Sequence, residues 1–218
     1  MKRKHYSAIF CNLHSEPAIV DQVYQIRKKI FIDQHGWDLP HSSGREHDAF
    51  DTAFTVYCAL YCGENMVATF RAIRTDYPYL SAWVFPSLAT EQAYPKRKDI
   101  WEISRFGVLS TQGAGERISL LNYGLMFYFA QKVGAQSLVA SADPAYERFL
   151  HGLGIHTNRY GPAQIIGHTR AGMPLQAVAG EIPIAEQRGA RFSRLIQTLD
   201  NVEIADASYV LGPVRIPA

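Results

Sequence analysis

Three carboxylates stand close together in one short stretch of the chain. Glu46, Asp48 and Asp51 fall within six consecutive positions at the edge of a loop. Like charges at this spacing repel one another, so the group needs a cation nearby. That cation can be a substrate ammonium or sulfonium, with Arg27 and Arg71 as fixed counter-charges. The simpler alternative is a solvated acidic loop that leads into a strand.

A second group of polar residues lies in the segment WEISRF, where the residue pattern predicts a strand. Glu102 and Ser104 alternate onto one face of this strand, whereas Arg105 joins the opposite face unless a bulge re-aims it. A glutamate held among apolar neighbours suits a base that takes a proton from an amine, directly or through water. The alternative role for Glu102 is a structural salt bridge with an arginine.

A glycine-rich turn that contains Gly113 and Gly115 follows this strand and precedes a helix. Backbone N–H groups at the N-terminus of that helix can hold a pyrophosphate or a phosphopantetheine arm. A plain surface turn explains the same residues equally well.

The composition limits the kinds of partner that the chain can have. Its 218 residues include 22 Lys and Arg against 20 Asp and Glu, and a net charge of +2 gives no field that indicates nucleic acid or an anionic membrane. No apolar stretch approaches the roughly 20 residues that cross a bilayer, so we expect a cytoplasmic protein. We predict no metal site, because an extended chain points His47 away from its acidic neighbours.

Strands and helices must alternate to position these residues. Apolar residues at helical spacing predict a first helix that ends near Arg27 and Phe31, followed by an exposed loop from Gly36 to Arg45 that carries Trp37. A helix follows the glycine turn, another follows Asp143, and a last one covers Ala185 to Leu199. Strands are predicted at Phe54 to Tyr61, Met66 to Ile73, Ile100 to Leu109, Ser137 to Ala142, Gln164 to Thr169 and Pro174 to Ile182. This order predicts one α/β (α+β) domain over residues 1–218, with a central mixed, twisted sheet and helices on both faces.

The motifs taken in chain order carry a resemblance to a known family. They are Arg27-x3-Phe31-x5-Trp37, Glu46-x-Asp48-x-Phe50-Asp51, Arg71, Phe85-Pro86 and Glu102-x2-Arg105-Phe106. Together they closely resemble the signature of LuxI-type acyl-homoserine-lactone synthases. The colinear match spans residues 27–106, and the remainder agrees in layout with the GNAT-like fold of those enzymes.

The resemblance implies a function, substrates and residue roles. Such enzymes join an acyl group from a thioester to the amine of S-adenosylmethionine and close a lactone, with no prosthetic group, to make a quorum-sensing signal. The thioester carrier is acyl carrier protein or coenzyme A. The implied catalytic residues are Glu102, Ser104 and Arg105. The implied S-adenosylmethionine-binding residues are Arg27, Phe31, Trp37, Asp48, Asp51, Arg71 and Phe106, with Glu46 as support for the acidic cluster. The implied acyl and pantetheine contacts are Gly113, Gly115, Tyr123, Met126, Ala140, Ser141, Tyr146 and Leu150.

Two departures from the family pattern leave details open. Arg71 is followed by Ala-Ile-Arg-Thr where the family usually has a Pro-Thr pair, and Ser110 stands where a Gln or Arg of the glycine loop is expected. Acyl length, branching, oxidation state, carrier and oligomeric state are not predicted. The rival functions are an N-acetyltransferase of the same fold that uses acetyl-coenzyme A, and a non-catalytic module that senses acyl thioesters or S-adenosylmethionine.

Overall fold

The computed structural model describes residues 5–109 and 115–211, and a nine-stranded sheet runs through the middle of them. The strands are β1 (Tyr6–Cys11), β2 (Val56–Cys62), β3 (Asn65–Arg74), β4 (Ile100–Val108), β5 (Ser137–Ala142), β6 (Asn158–Arg159), β7 (Gln164–His168), β8 (Pro174–Pro183) and β9 (Val202–Asp206). The α-helices are α1 (Pro17–Arg27), α2 (Leu80–Val84), α3 (Gly115–Lys132), α4 (Pro144–Gly152) and α5 (Ala190–Gln197). A π-helical segment, Lys28–Gln34, continues α1.

The sheet mixes antiparallel and parallel neighbours. Its strand order is β6-β8-β5-β4-β3-β2-β1-β9, and β7 pairs with β8 beside this path. Strands β1 to β4 pair in antiparallel fashion, whereas β4 with β5 and β1 with β9 are parallel. The predicted mixed sheet of an α/β fold is therefore confirmed. One domain over residues 1–218 stays a prediction.

Helices cover both faces of the sheet, as the sequence predicts. Helix α1 packs on one face, where Val20 and Val23 join the buried side chain of Tyr57 on β2. Helices α3 and α5 cover the other face, and the ring of Phe127 lies edge-on to that of Phe192, 4.9 Å away. We call these the α1 face and the α3 face of the sheet.

Strands β4 and β5 diverge in the middle of the sheet. Their parallel pairing extends from Ile100 opposite Ser137 to Glu102 opposite Val139, although β4 runs on to Val108 and β5 to Ala142. The ladder between the two strands therefore ends at Glu102 and Val139, and we call the space between their unpaired ends the cleft. The predicted catalytic segment lies along one edge of this cleft.

The last predicted helix is interrupted. Instead of one helix over Ala185 to Leu199, the chain forms a short 3-10 turn at Ile184–Glu186 and begins α5 only at Ala190. Gly189 has a φ of +97°, a conformation that glycine adopts readily and other residues rarely do. The apolar residues therefore keep their helical spacing across a short segment, residues 187–189, that is not helical.

We predict that Gly107→Ala destabilises the fold and displaces Phe31. A Cβ at this position would lie 2.9 Å from Ile30 Cγ2 and 2.9 Å from Phe31 Cζ. Overpacking of this kind costs about 1–3 kcal/mol, which urea unfolding of the variant measures. Gly152→Ala is the control, because its Cβ would meet nothing within 4 Å, and equal stability of both variants contradicts the prediction.

Candidate active site

Arg27, the last residue of α1, is fully buried and holds two of the three carboxylates. Its Nε donates to Glu46 Oε2 over 2.7 Å. Its two terminal nitrogens donate to the two oxygens of Asp51 over 2.7 and 3.0 Å, which is a bidentate pair. The acidic residues are therefore folded back onto α1, and the alternative of a solvated acidic loop is wrong.

Arg71 of β3 joins the same carboxylates from the sheet. Its Nη1 lies 2.5 Å from Asp48 Oδ1 and 3.1 Å from Asp51 Oδ1, and its Nε donates to Ser104 Oγ over 3.0 Å. The ring of Phe50 lies 5.8 Å from the guanidinium carbon. Among the described residues, the buried Nη2 of Arg71 has no hydrogen-bond partner. This nitrogen is a donor that a substrate can use.

Arg105 reaches the cluster because β4 contains a bulge. The register of β4 against β3 shifts between Thr69 and Arg71, and Arg105 has a φ of +49°. An extra residue in one strand re-aims the side chains beside it. The guanidinium therefore lies on the α1 face, where Nη2 is 3.0 Å from Glu46 Oε1 and 2.8 Å from Asp48 Oδ2.

Three arginines and three carboxylates thus form one alternating network on the α1 face, which we call the Arg–Asp/Glu network. Burial by itself raises the pKa of Asp51, but the guanidinium groups of Arg27 and Arg71 hold that pKa well below its usual range. Burial likewise raises the pKa of Glu46, and Arg27 and Arg105 bring it below the usual value. All three carboxylates have arginine partners, so the network needs no substrate cation to hold it together.

Two tyrosines support the network and were not predicted from the sequence. Tyr57 of β2 donates its hydroxyl hydrogen bond to Asp51 Oδ1 over 2.9 Å, and the Tyr24 hydroxyl lies 3.1 Å from that of Tyr57. Burial raises the pKa of Tyr57 far above its usual value, so its hydroxyl stays protonated as a donor. The predicted hairpin could have identified Tyr57, because the pairing of β2 with β3 places it opposite Arg71.

Glu102 is completely buried on the same face as Ser104 and Arg71. Its carboxylate accepts hydrogen bonds from the backbone N–H groups of Leu80, over 3.1 Å, and Ser81, over 2.6 Å. No arginine or lysine pairs with Glu102 within the described ranges, so the alternative of a structural salt bridge is wrong. Two amides leave further lone pairs on the carboxylate for a substrate amine or a water.

Phe31 and Trp37 form a stacked pair at the end of the π-helical segment. Their ring centroids are 5.0 Å apart with an interplanar angle of 23°. Trp37 also forms an isolated antiparallel β-bridge with Thr169, and the N–H of Arg170 donates to the carbonyl of Gly36 over 3.1 Å. The loop predicted to be exposed is therefore tied at its start to the β7–β8 hairpin.

Phe106 does not lie with the other residues expected to bind S-adenosylmethionine. On the α3 face of the sheet, its ring stacks on that of Phe70, with the centroids 6.1 Å apart, and is tilted against that of Tyr123, 4.5 Å away. The bulge explains this difference, because Ser104 and Arg105 both lie on the α1 face and the next residue turns to the other side. A role for Phe106 in binding S-adenosylmethionine stays a prediction.

The residues expected to contact the acyl group lie around the cleft or in the core beside it. Tyr123 and Met126 of α3 are buried, Leu150 of α4 packs against the same core, and Tyr146 is 42% exposed. Ala140 and Ser141 are half-buried and alternate onto opposite faces of β5. Gly115 begins α3, whereas Gly113 lies outside the described residues.

The sequence also matches a model of a known protein family. Residues 11–190 match the family described as autoinducer synthase. The chain belongs to this family. A relative from Aeromonas salmonicida, named acyl-homoserine-lactone synthase, is 28% identical over 199 residues, which cover 89% of this chain and 92% of that protein. A relative from Aeromonas hydrophila with the same name is 28% identical over 84% of this chain and 87% of that protein.

Solved structures of such enzymes have the same fold. A CoA-dependent acyl-homoserine lactone synthase, BjaI, solved with S-adenosylmethionine and isopentyl-CoA, superposes with a TM-score of 0.78 at 22% identity, over 91% of this chain and 93% of that one. The synthase LasI gives a TM-score of 0.73 at 21% identity, over 89% and 95% of the two chains. The GNAT-like architecture predicted from the sequence is confirmed.

The family makes this chain an enzyme, an acyltransferase that synthesises acyl-homoserine lactones. Within residues 5–109 and 115–211, no helix is long and apolar enough to cross a membrane. No group of three or more histidine, cysteine or acidic side chains in that part of the chain could hold a metal ion.

We predict that Glu46→Gln destabilises the protein at neutral pH by about 3 kcal/mol, because it removes a buried carboxylate shared by Arg27 and Arg105. The pKa of Glu46 is lowered in the folded protein, so its stabilising effect is present above the ordinary value of 4.5 and is lost as the pH falls further. Urea unfolding at several pH values should show the difference from wild type shrink in acid.

Glu91→Gln provides the control for this experiment, because Glu91 is exposed. This variant should match wild type at every pH. A Glu46→Gln protein that is as stable as wild type at neutral pH would contradict the stabilising role of the network.

Proposed function

We propose that this enzyme carries out both chemical steps at the cleft between β4 and β5, with Glu102 as the base. The supporting observation is a buried carboxylate, held by two backbone amides and free of any cationic partner among the described residues, at the point where the two strands part. The roles given below to individual residues are parts of this proposal.

The first step is attack of the methionyl amine of S-adenosylmethionine on the acyl thioester. Glu102 takes a proton from the ammonium, directly or through a water, and the neutral nitrogen forms a bond to the carbonyl carbon. The carbon–sulfur bond of the thioester then breaks, and the thiol leaves with a proton. N–H groups of the bulged strand beside Arg105 stabilise the oxyanion that forms on the way.

The second step closes the lactone. The methionyl carboxylate attacks the carbon next to the sulfonium, and methylthioadenosine leaves as a neutral thioether. This step is intramolecular, so holding the substrate in a folded shape supplies much of the rate. The unpartnered Nη2 of Arg71, the hydroxyl of Ser104 and the stacked Phe31–Trp37 pair support an S-adenosylmethionine site on the α1 face.

A further part of the proposal is the surface on which the thioester carrier docks. Arg188, Arg191 and Arg194 lie near or on α5, are exposed, and donate to main-chain carbonyl groups. None of them is ion-paired within the part of the chain that the structure describes. In a second basic cluster, Lys96-Arg97-Lys98, Arg97 pairs with Asp99. We therefore place the docking of an acidic acyl carrier protein at the α5 arginines. The cytoplasmic location stays a prediction.

In the deciding experiment, the purified enzyme is incubated with S-adenosylmethionine and with an acyl thioester of either acyl carrier protein or coenzyme A. Mass spectrometry should detect methylthioadenosine and an acyl-homoserine lactone in equal amounts. Transfer to another amine without methylthioadenosine would favour an N-acetyltransferase. Binding of either substrate without turnover would favour a sensing module.

We expect Glu102→Gln to lower kcat by roughly 10²–10⁴-fold, because the amide cannot take the proton from the ammonium. Steady-state kinetics measure this, and the melting temperature shows whether the fold is kept. Glu181→Gln is the matched control, since Glu181 on β8 accepts a hydrogen bond from the Tyr160 hydroxyl and has no proposed role. An unchanged kcat for the Glu102 variant would remove Glu102 from the mechanism.

We expect Trp37→Ala to raise the KM for S-adenosylmethionine by roughly tenfold, because an indole face over a sulfonium or nucleoside contributes about 1–2 kcal/mol. The KM for the acyl donor should change less. Initial rates with each substrate varied in turn separate the two effects. Equal losses for both substrates would place Trp37 outside the S-adenosylmethionine site.

A further inference from the structure

A continuous row of aromatic rings lies along the α3 face of the cleft. It runs from Phe70 on β3 to Phe106 on β4, then to Tyr123 on α3 and Phe149 on α4. Successive ring centroids are 6.1, 4.5 and 5.5 Å apart. Rings at these separations are in direct contact, so no passage as wide as an alkyl chain runs between neighbouring rings.

The opposite side of the cleft is lined by small side chains. Leu138 of β5 belongs to the core on the α3 face, and the alternation of a strand places Ala140 and Ala142 on that same face. Small side chains of β5 and large rings of β4, α3 and α4 thus share the α3 face where the two strands part. Tyr123 is only 5% exposed and is held from both sides, so it forms the fixed part of this boundary.

We propose that the aromatic row limits the enzyme to short acyl chains, and that Tyr123 and Phe149 determine this limit. The inference rests on the proposed function, because it takes the cleft between β4 and β5 to be the place where the thioester lies. A short chain ends against the row, whereas a long chain has to push Tyr123 or Phe149 out of ring contacts that are already closely packed. Displacing packed rings costs enough to disfavour long chains by at least roughly tenfold.

The test compares butanoyl, hexanoyl, decanoyl and dodecanoyl thioesters as donors, with lactone formation followed by mass spectrometry. Wild type should use the two short donors with kcat/KM at least about tenfold above the two long ones. Tyr123→Ala and Phe149→Ala should each reverse or remove this preference, chiefly by gains with the long donors. Phe149 is 39% exposed, so its variant keeps the test valid where the Tyr123 variant fails to fold.

Tyr128→Ala is the matched control, because Tyr128 lies on the same helix but stacks on Phe10 and not on any of the four rings of the row. It should leave the chain-length preference unchanged. A wild-type preference for decanoyl or dodecanoyl donors overturns the inference while leaving the proposed function intact. An unchanged preference in an active Phe149→Ala variant also overturns it. Absence of lactone and methylthioadenosine with every donor overturns the proposed function itself.

Discussion

The Arg–Asp/Glu network is the interaction on which the rest of the site depends. A buried guanidinium is stable only when carboxylates surround it, and Arg27 and Arg71 are both fully buried. The carboxylates come from the segment between α1 and β2, so satisfying the arginines folds that segment onto the sheet. The same contacts fix the end of α1, and with it the start of the π-helical segment that carries Phe31. Charge pairing therefore positions an aromatic pair that has no charge of its own.

The bulge in β4 connects this network to the cleft. Without the extra residue, Arg105 would face α3, and Glu46 would have one arginine partner instead of two. With it, Arg105 completes the network while Phe106 turns to the α3 face and joins the aromatic row. A single backbone irregularity thus contributes to the site on one face of the sheet and to the proposed acyl boundary on the other.

Much of this arrangement could be predicted from the sequence, and the failures have physical causes. Apolar spacing located the main strands and helices, and the spacing of Arg27, Glu46, Asp51 and Arg71 identified the network. Strand alternation could not decide the face of Phe106, because one inserted residue reverses every side chain after it. The amides that hold Glu102 belong to α2, which is only five residues long and has too little periodicity to be recognised.

The contact between Gly36 and Arg170 joins parts of the chain that are far apart in sequence. The position of Trp37 therefore depends on the β7–β8 hairpin as well as on its stacking partner Phe31, which is close by in the chain. Contacts of such high sequence separation carry an entropic cost for closing the intervening loop, and they slow folding. Exchanging or trimming the hairpin would therefore alter the proposed S-adenosylmethionine site from the C-terminal third of the chain, and protein engineers should treat the two segments as one unit.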